Sequence, residues 1–248
     1  MEEWIVALLA AGMLFAAFGY AAVGHGGASA YLAAMALAGI APAEMRPSAL
    51  LLNILVSSLG AWKFHRAGFF RWRLFWPFAA VSIPMAYLGG AITLPGQAYK
   101  ILVGVVLLYA AWQLWRSGRS GTEMREVREP PLGWAMLIGA AMGLLAGLTG
   151  VGGGIFLSPL LLMLGWAGTK QTSAVAAPFI LVNSVAGLAA VFMAKGAALP
   201  GYVWVLAPCV VIGGWLGAEY GSRRFANPVV RRLLAVVLAL AGAKMISA

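Results

Sequence analysis

Gly24-His25-Gly26-Gly27-Ala28 and Gly150-Val151-Gly152-Gly153-Gly154 are the two stretches on which the fold turns. Each follows a long apolar run and precedes a short one, and the second lies one half-chain beyond the first. Other matches keep the same order at offsets of 125 to 128: Ser48-Ala49 opposite Ser173-Ala174, and Leu88-Gly89 opposite Leu216-Gly217. A proline and a long apolar run close both halves, Pro95 with 98–115 and Pro228 with 229–247. Each match is short, but their shared order reads as an internal duplication.

Working outward from the clusters, apolar stretches fall at 4–23, 28–40, 47–62, 74–94, 98–115, 133–149, 154–166, 173–194, 201–219 and 229–247. Apolar residue types make up 62% of the 248 positions and charged types 10%, with a mean hydropathy of +0.91. Soluble domains carry roughly 25% charged residues, so a water-facing surface is excluded. In lipid an open chain must satisfy its own backbone, and the runs lack the alternation of barrel strands. The expectation is an all-α integral membrane protein of about ten helical segments. Segments 28–40 and 154–166 are too short for a hydrocarbon core about 30 Å thick. They are half-spans, tilted spans or arms of re-entrant hairpins.

The polar stretch 116–132, with mixed charges and Pro130-Pro131, reads as a linker between a first repeat, 1–115, and a second, 133–248. With the N-terminus outside and segments alternating, thirteen lysines and arginines face inward and four, Arg46, Lys100, Lys195 and Lys244, face outward. That bias predicts periplasmic termini and a cytoplasmic linker. Five segments per half is an odd number, so the halves are inverted relative to one another, a plan shared by many secondary transporters.

The net charge of +10 sits in short runs between apolar segments, which argues against nucleic-acid binding. The lone Cys209 excludes an internal disulfide, and Met1-Glu2-Glu3-Trp4 lacks the basic start of a signal peptide, so the first segment is expected to be retained. No histidines, cysteines or carboxylates have metal-ligand spacing, and no cofactor is expected. Ser48, Ser57, Ser58, Ser158, Ser173, Ser184, Cys209 and His25 are candidate nucleophiles without an evident base, so an enzyme is not the reading. Outside the N-terminus and linker only Glu44 and Glu219 are acidic. An intramembrane carboxylate for proton or sodium coupling is therefore lacking, and Glu219 is placed to pair with Arg223 one helical turn on.

Glycines that open a helix expose several N–H donors at its positive end, where an anion can sit. The alternative is close helix packing, which suits the spaced stripes Gly139, Gly143, Gly147 and Gly213, Gly217, Gly221. The candidate anion shell is Gly24, His25, Gly26 and Gly27 with Gly150, Gly152, Gly153 and Gly154. Asn53 and Ser57, on one helical face, and Asn183 and Ser184 join it as side chains that must find partners in lipid. Thr172 and Ser173 are either N-caps or part of the same shell. His25 is an adjustable donor.

The paired glycine clusters, each followed by a short apolar segment and then a Ser/Thr-containing one (Pro47-Ser48-Ala49, Thr172-Ser173-Ala174), resemble the sulfite exporter TauE/SafE family. The resemblance spans nearly the whole chain. It implies an exporter of sulfite or a small organosulfonate in the bacterial inner membrane, with a small anionic substrate and the lipid bilayer as partners. His25 and Ala28 depart from the more regular glycines of the second cluster. An anion channel and a non-transporting scaffold or assembly protein are the alternatives.

Overall fold

In a computed structural model describing residues 3–117, 129–196, 199–223 and 228–247, every one of the ten apolar stretches is a helix. They are α1 (Glu3–Ala21), α2 (Ala28–Leu37), α3 (Pro42–Arg66), α4 (Trp72–Ala91), α5 (Gly96–Ser117), α6 (Leu132–Thr149), α7 (Gly154–Met163), α8 (Thr169–Lys195), α9 (Tyr202–Arg223) and α10 (Pro228–Ser247). Among the described residues there is no strand. Residues 118–128, most of the expected linker, lie outside the described residues, as do 197–198 and 224–227.

Two helices run well past their apolar stretches. α3 has 25 residues and α8 has 27, because helix-forming Ala43, Glu44 and Met45 at one end and Lys63 at another extend the backbone hydrogen bonding beyond the apolar core. Pro42 starts α3 where its missing N–H costs nothing.

The short segments are shorter still. α2 and α7 have ten residues each, about 15 Å or half a hydrocarbon core. Both are entered through a left-handed glycine, Gly27 at φ 96° and Gly153 at φ 81°, which a side chain would strain. Both also end alike. The N–H groups of Gly39 and Ile40 bond back to Ala36 and Met35, and those of Gly165 and Trp166 to Leu162 and Leu161, a paired capping pattern that stops a helix sharply.

Helix pairing follows one rule in both halves. α1 packs on α9 and α6 on α4; α3 packs on α8 and α5 on α10; α4 lies against α8 as α9 lies against α3. Exchanging α1–α5 for α6–α10 returns the same pairs. The spaced glycines make two of these contacts possible: Gly139, Gly143 and Gly147 let α6 lie on the α4 backbone at Phe78, Ser82 and Ala86. Gly213, Gly217 and Gly221 do the same for α9 on Leu14 and Phe18 of α1 and on Ala22 just after it.

Exposure is inverted relative to a soluble protein. Trp4 and Trp72 are 63% exposed, Trp134 and Trp204 61%, while Ser48, Asn53, Asn183 and Ser184 are fully buried. The tryptophans lie in the first turns of α1, α4, α6 and α9, helix-end positions of the kind aromatic belts use. Six helices, α1, α4, α5, α6, α8 and α9, are long and apolar enough among the described residues to cross a bilayer. In α2, eight of ten residues are buried, Ala34 and Leu37 being the exceptions, which places it with α3 and α8 in the interior. Polar groups inside and large apolar ones outside define an all-α integral membrane protein.

Candidate functional site

Where α3 crosses α8, the Asn53 carboxamide is the central polar group. Its Oδ1 accepts the first N–H of α2, at Ala28 (3.3 Å), while its Nδ2 donates to Ser184 Oγ on α8 (2.9 Å) and to the Val151 carbonyl (3.4 Å). One side chain thus joins the start of α2, the second glycine cluster and α8. The glycines exist partly to let it in. A β-carbon on Gly26 would run into the Asn53 carboxamide, and one on Gly152 would meet Asn53 Nδ2 as well as Ser184 Oγ and Ile180 at 2.9 Å. Gly26 and Gly152 therefore flank the same amide, so the two clusters meet.

Beside this crossing a small cleft is lined by Tyr20, His25, Gly26, Gly27, Ala28 and Ser29 from the first half and by Val151, Ile155 and Ile180 from the second. Its first wall is rich in donors. In the first turn of α2 the N–H of Ala28 is taken by Asn53 and those of Ala30 and Tyr31 by the Gly27 carbonyl, which leaves that of Ser29; Ser29 Oγ donates to the Tyr20 hydroxyl (2.8 Å), whose own proton is left for the cleft. Tyr31 donates to the Gly26 carbonyl (2.9 Å), removing an acceptor from the cleft edge. His25 Nδ1 lies 3.1 Å from the Val23 carbonyl, with its ring edge-on to Tyr20. The opposite wall is aliphatic.

A second link ties the first cluster to α8: Ser173 Oγ donates to the Val23 carbonyl (2.8 Å), and Gly24 presses against Ser173 closely enough that no side chain would fit. Capping of α8 falls instead to Gln171, whose Oε1 accepts the Gly168 N–H (3.2 Å). Thr172 is buried nearby with its hydroxyl unpartnered.

Other residues named from the sequence stand apart from the crossing. Ser57 bonds the Ile54 carbonyl of its own helix (3.4 Å), and Asn183 bonds that of Phe179 (2.9 Å), leaving its Oδ1 buried without a partner. Gly153 and Gly154 are covered by Phe179 and Ile180, and Gly150 ends α6 as its left-handed cap, beside Arg46. The halves are unequal here: α3 brings an amide to the crossing and α8 brings Phe179 and Ile180.

Three residues of this region had no place in the sequence-based shell. Tyr20 and Ser29 sit in apolar runs without a distinguishing pattern. Arg46 reads from sequence as an outside charge because the apolar stretch begins at 47, yet the structure buries it in the second turn of α3. The signal for it was present: Pro42 marks an earlier helix start, and Arg46 and Asn53 are seven residues apart on one face. At the opposite end of α3, Lys63 pairs with Glu219, which also holds Arg223 at 2.6 Å as the one-turn spacing anticipated.

The sequence profile of the family described as "Sulfite exporter TauE/SafE" matches residues 8–245. A curated relative, "Probable membrane transporter protein y4hK" of Sinorhizobium fredii (strain NBRC 101917 / NGR234), is 39% identical over 242 residues, covering 96% of this chain and 97% of the relative. No solved structure matches. The chain belongs to the TauE/SafE family and is a multi-pass membrane transporter.

Proposed function

We propose that this TauE/SafE family member is a carrier that moves a small anion, sulfite or a short organosulfonate, outward across the bacterial inner membrane. The observation that carries the reading is the Asn53 crossing, where the openings of both half-length helices meet one buried amide next to a donor-rich cleft. Half-helices that open toward the membrane interior aim their positive ends at a bound anion. Backbone N–H groups of Gly26, Gly27 and Ser29 and the hydroxyl of Tyr20 supply donors without a fixed charge in the cleft itself, and the ring of His25, whose Nδ1–H is given to the Val23 carbonyl, adds one only when protonated. A carrier must release what it binds, and such partial charges hold an oxyanion more loosely than a lysine would.

The two halves, 1–115 and 133–248, are inverted repeats in this reading. Exchange symmetry of the helix pairs supports it, as does the identical start and stop of α2 and α7. Rocking of one half against the other about the α3–α8 crossing would open the cleft alternately to each side. The family description and the relative's printed name support transport; sulfite as cargo follows the family description.

Flux into proteoliposomes tests the proposal. Radiolabelled sulfite, or a short alkyl sulfonate, is expected to enter vesicles holding the protein and not those holding a folded Gly26→Val variant. Equal rates in protein-containing and empty vesicles for both solutes would overturn it. Single-channel currents in planar bilayers would replace the carrier by a channel.

A further inference from the structure

We propose that Arg46 sets the sign of ion this transporter accepts, by cancelling two negative helix ends that would otherwise face the glycine crossing. The inference rests on the reading that solute passes at that crossing. Among the described residues Arg46 is the one charged side chain that is buried, at 5% exposure. Its guanidinium donates from Nη1 to the Ile92 carbonyl (3.1 Å) and from Nη2 to the carbonyls of Gly89 (2.5 Å) and Gly147. Gly89 and Ile92 belong to the end of α4, and Gly147 to the last turn of α6.

A helix C-terminus carries roughly half a negative charge, so two of them side by side amount to about one. Arg46 supplies the matching positive charge. No carboxylate takes part in this neutralisation. Among the described residues Arg46 makes no ion pair, and Glu44, two positions earlier, accepts instead from the Tyr202 hydroxyl (3.3 Å). Tyr99, reaching this end of α6 from α5, is a neutral donor to the Thr149 carbonyl (3.2 Å). Arg46 Nε is buried and bonded to nothing, so the residue offers more donors than the carbonyls use. A mere tie would require donors and not a permanent charge, which is expensive inside a membrane.

The position gives the charge its effect. Arg46 Cγ lies 3.3 Å from where a Gly150 β-carbon would stand, at the head of the second cluster, and Asn53 is seven residues further along the same face of α3, about 10 Å along its axis. With Arg46 present, the ends of α4 and α6 are neutralised and the positive openings of α2 and α7 decide the potential at the cleft. Without it a net negative charge about 10 Å away repels the anion. At an effective dielectric near 20, one unit charge at that distance changes local anion concentration roughly tenfold, and cation concentration by the same factor in reverse.

Thiol labelling reads this potential without any transported substrate. In a Cys209→Ser background, Val151→Cys places a thiol on the cleft wall, and anionic and cationic methanethiosulfonates of similar size are compared by rate. The anionic-to-cationic ratio is expected to fall roughly a hundredfold in Arg46→Gln, the product of the two opposite changes, and to stay near its starting value in Arg46→Lys. An unchanged ratio in folded Arg46→Gln, or an equal fall in Arg46→Lys, overturns the inference. Should Arg46→Gln not fold, Arg46→Lys carries the test: its ratio must drop at alkaline pH as the ammonium loses its charge, while Arg46 gives a flat profile, and a flat lysine profile overturns it. No labelling by either reagent also overturns it, since ions then do not reach the cleft. Charge-selective labelling in a protein that moves neither sulfite nor an alkyl sulfonate would remove the proposed cargo and leave the role of Arg46 standing.

Discussion

Replacing Asn53 by leucine separates the two asparagines that the sequence presents as equals. Asn53→Leu keeps the branched arrangement of side-chain heavy atoms, in a somewhat larger volume, but deletes the bonds to Ala28 N, Ser184 Oγ and Val151 O. Side-chain bonds between membrane helices average about 0.6 kcal/mol, with model peptides giving about 1–2; three of them come to about 2 kcal/mol at the average and about 3 at the low end of the peptide values. For a chain of this size each kcal/mol moves Tm by roughly 2–4 °C, so Asn53→Leu should melt about 5–10 °C lower in detergent. Asn183→Leu loses one bond, to Phe179 O within its own helix, and also removes a buried oxygen that has no partner. Those effects oppose each other, and the change should stay within about 1 kcal/mol. Sulfite flux should follow the same order, severely reduced in Asn53→Leu because the first turn of α2 is no longer held, and close to the parent in Asn183→Leu. Thermal unfolding and proteoliposome flux on both variants decide it. Equal melting shifts, or an Asn53→Leu variant that melts and transports like the parent, would refute the assignment of the crossing to Asn53.

Three further outcomes are expected. Gly26→Val should abolish flux more completely than Gly153→Val, because a branched side chain at 26 collides with the Asn53 carboxamide whereas at 153 it meets the movable edge of Phe179 at 3.0 Å, although the φ of 81° strains it; flux and size-exclusion profiles check both, and equal full activity would assign the glycines to packing alone. Gly143→Leu, in the α6 stripe against the Ser82 backbone, should prevent folding and not merely slow transport, so a monodisperse Gly143→Leu protein would contradict the pairing of α4 and α6. Cysteines placed at Ser120 and Ala248, in a Cys209→Ser background, should be blocked and accessible respectively to an impermeant reagent in intact cells, as the basic-residue bias requires; the reverse pattern would invert the orientation.

Much of the fold is legible in the sequence because lipid leaves few options. A run of apolar residues must be a helix there, and its length says whether it crosses. All ten stretches are helices, and the two short ones are the two half-length helices. Ends are less legible. Hydropathy tracks lipid contact and not backbone hydrogen bonding, so α3 runs on through Glu44 and Arg46 at one end and Lys63 at the other. The same limit hides Arg46, which falls among the outer charges by sequence although the structure folds it inward onto three carbonyls.

The candidate site is legible in kind but not in its asymmetry. Duplicated motifs invite equal roles for equal positions, and the glycines bear this out at Gly27 and Gly153, which open α2 and α7 in the same backbone conformation. Side chains around them need not follow, because only the backbone is constrained by the shared fold. Taking Ser48 opposite Ser173, the same offset puts Asn53 opposite Pro178 and Arg46 opposite Gln171, so neither group is repeated in kind. The second half instead turns Phe179 and Ile180 onto Gly153 and Gly154. An anion path between inverted halves needs its donors on one side of the crossing only, provided the other side closes over it, and Val151, Ile155 and Ile180 form such an aliphatic wall. In the proposed reading, duplication supplied two openings of the right shape and the chemistry is concentrated in one of them, which no comparison of the halves by glycine pattern alone would reveal.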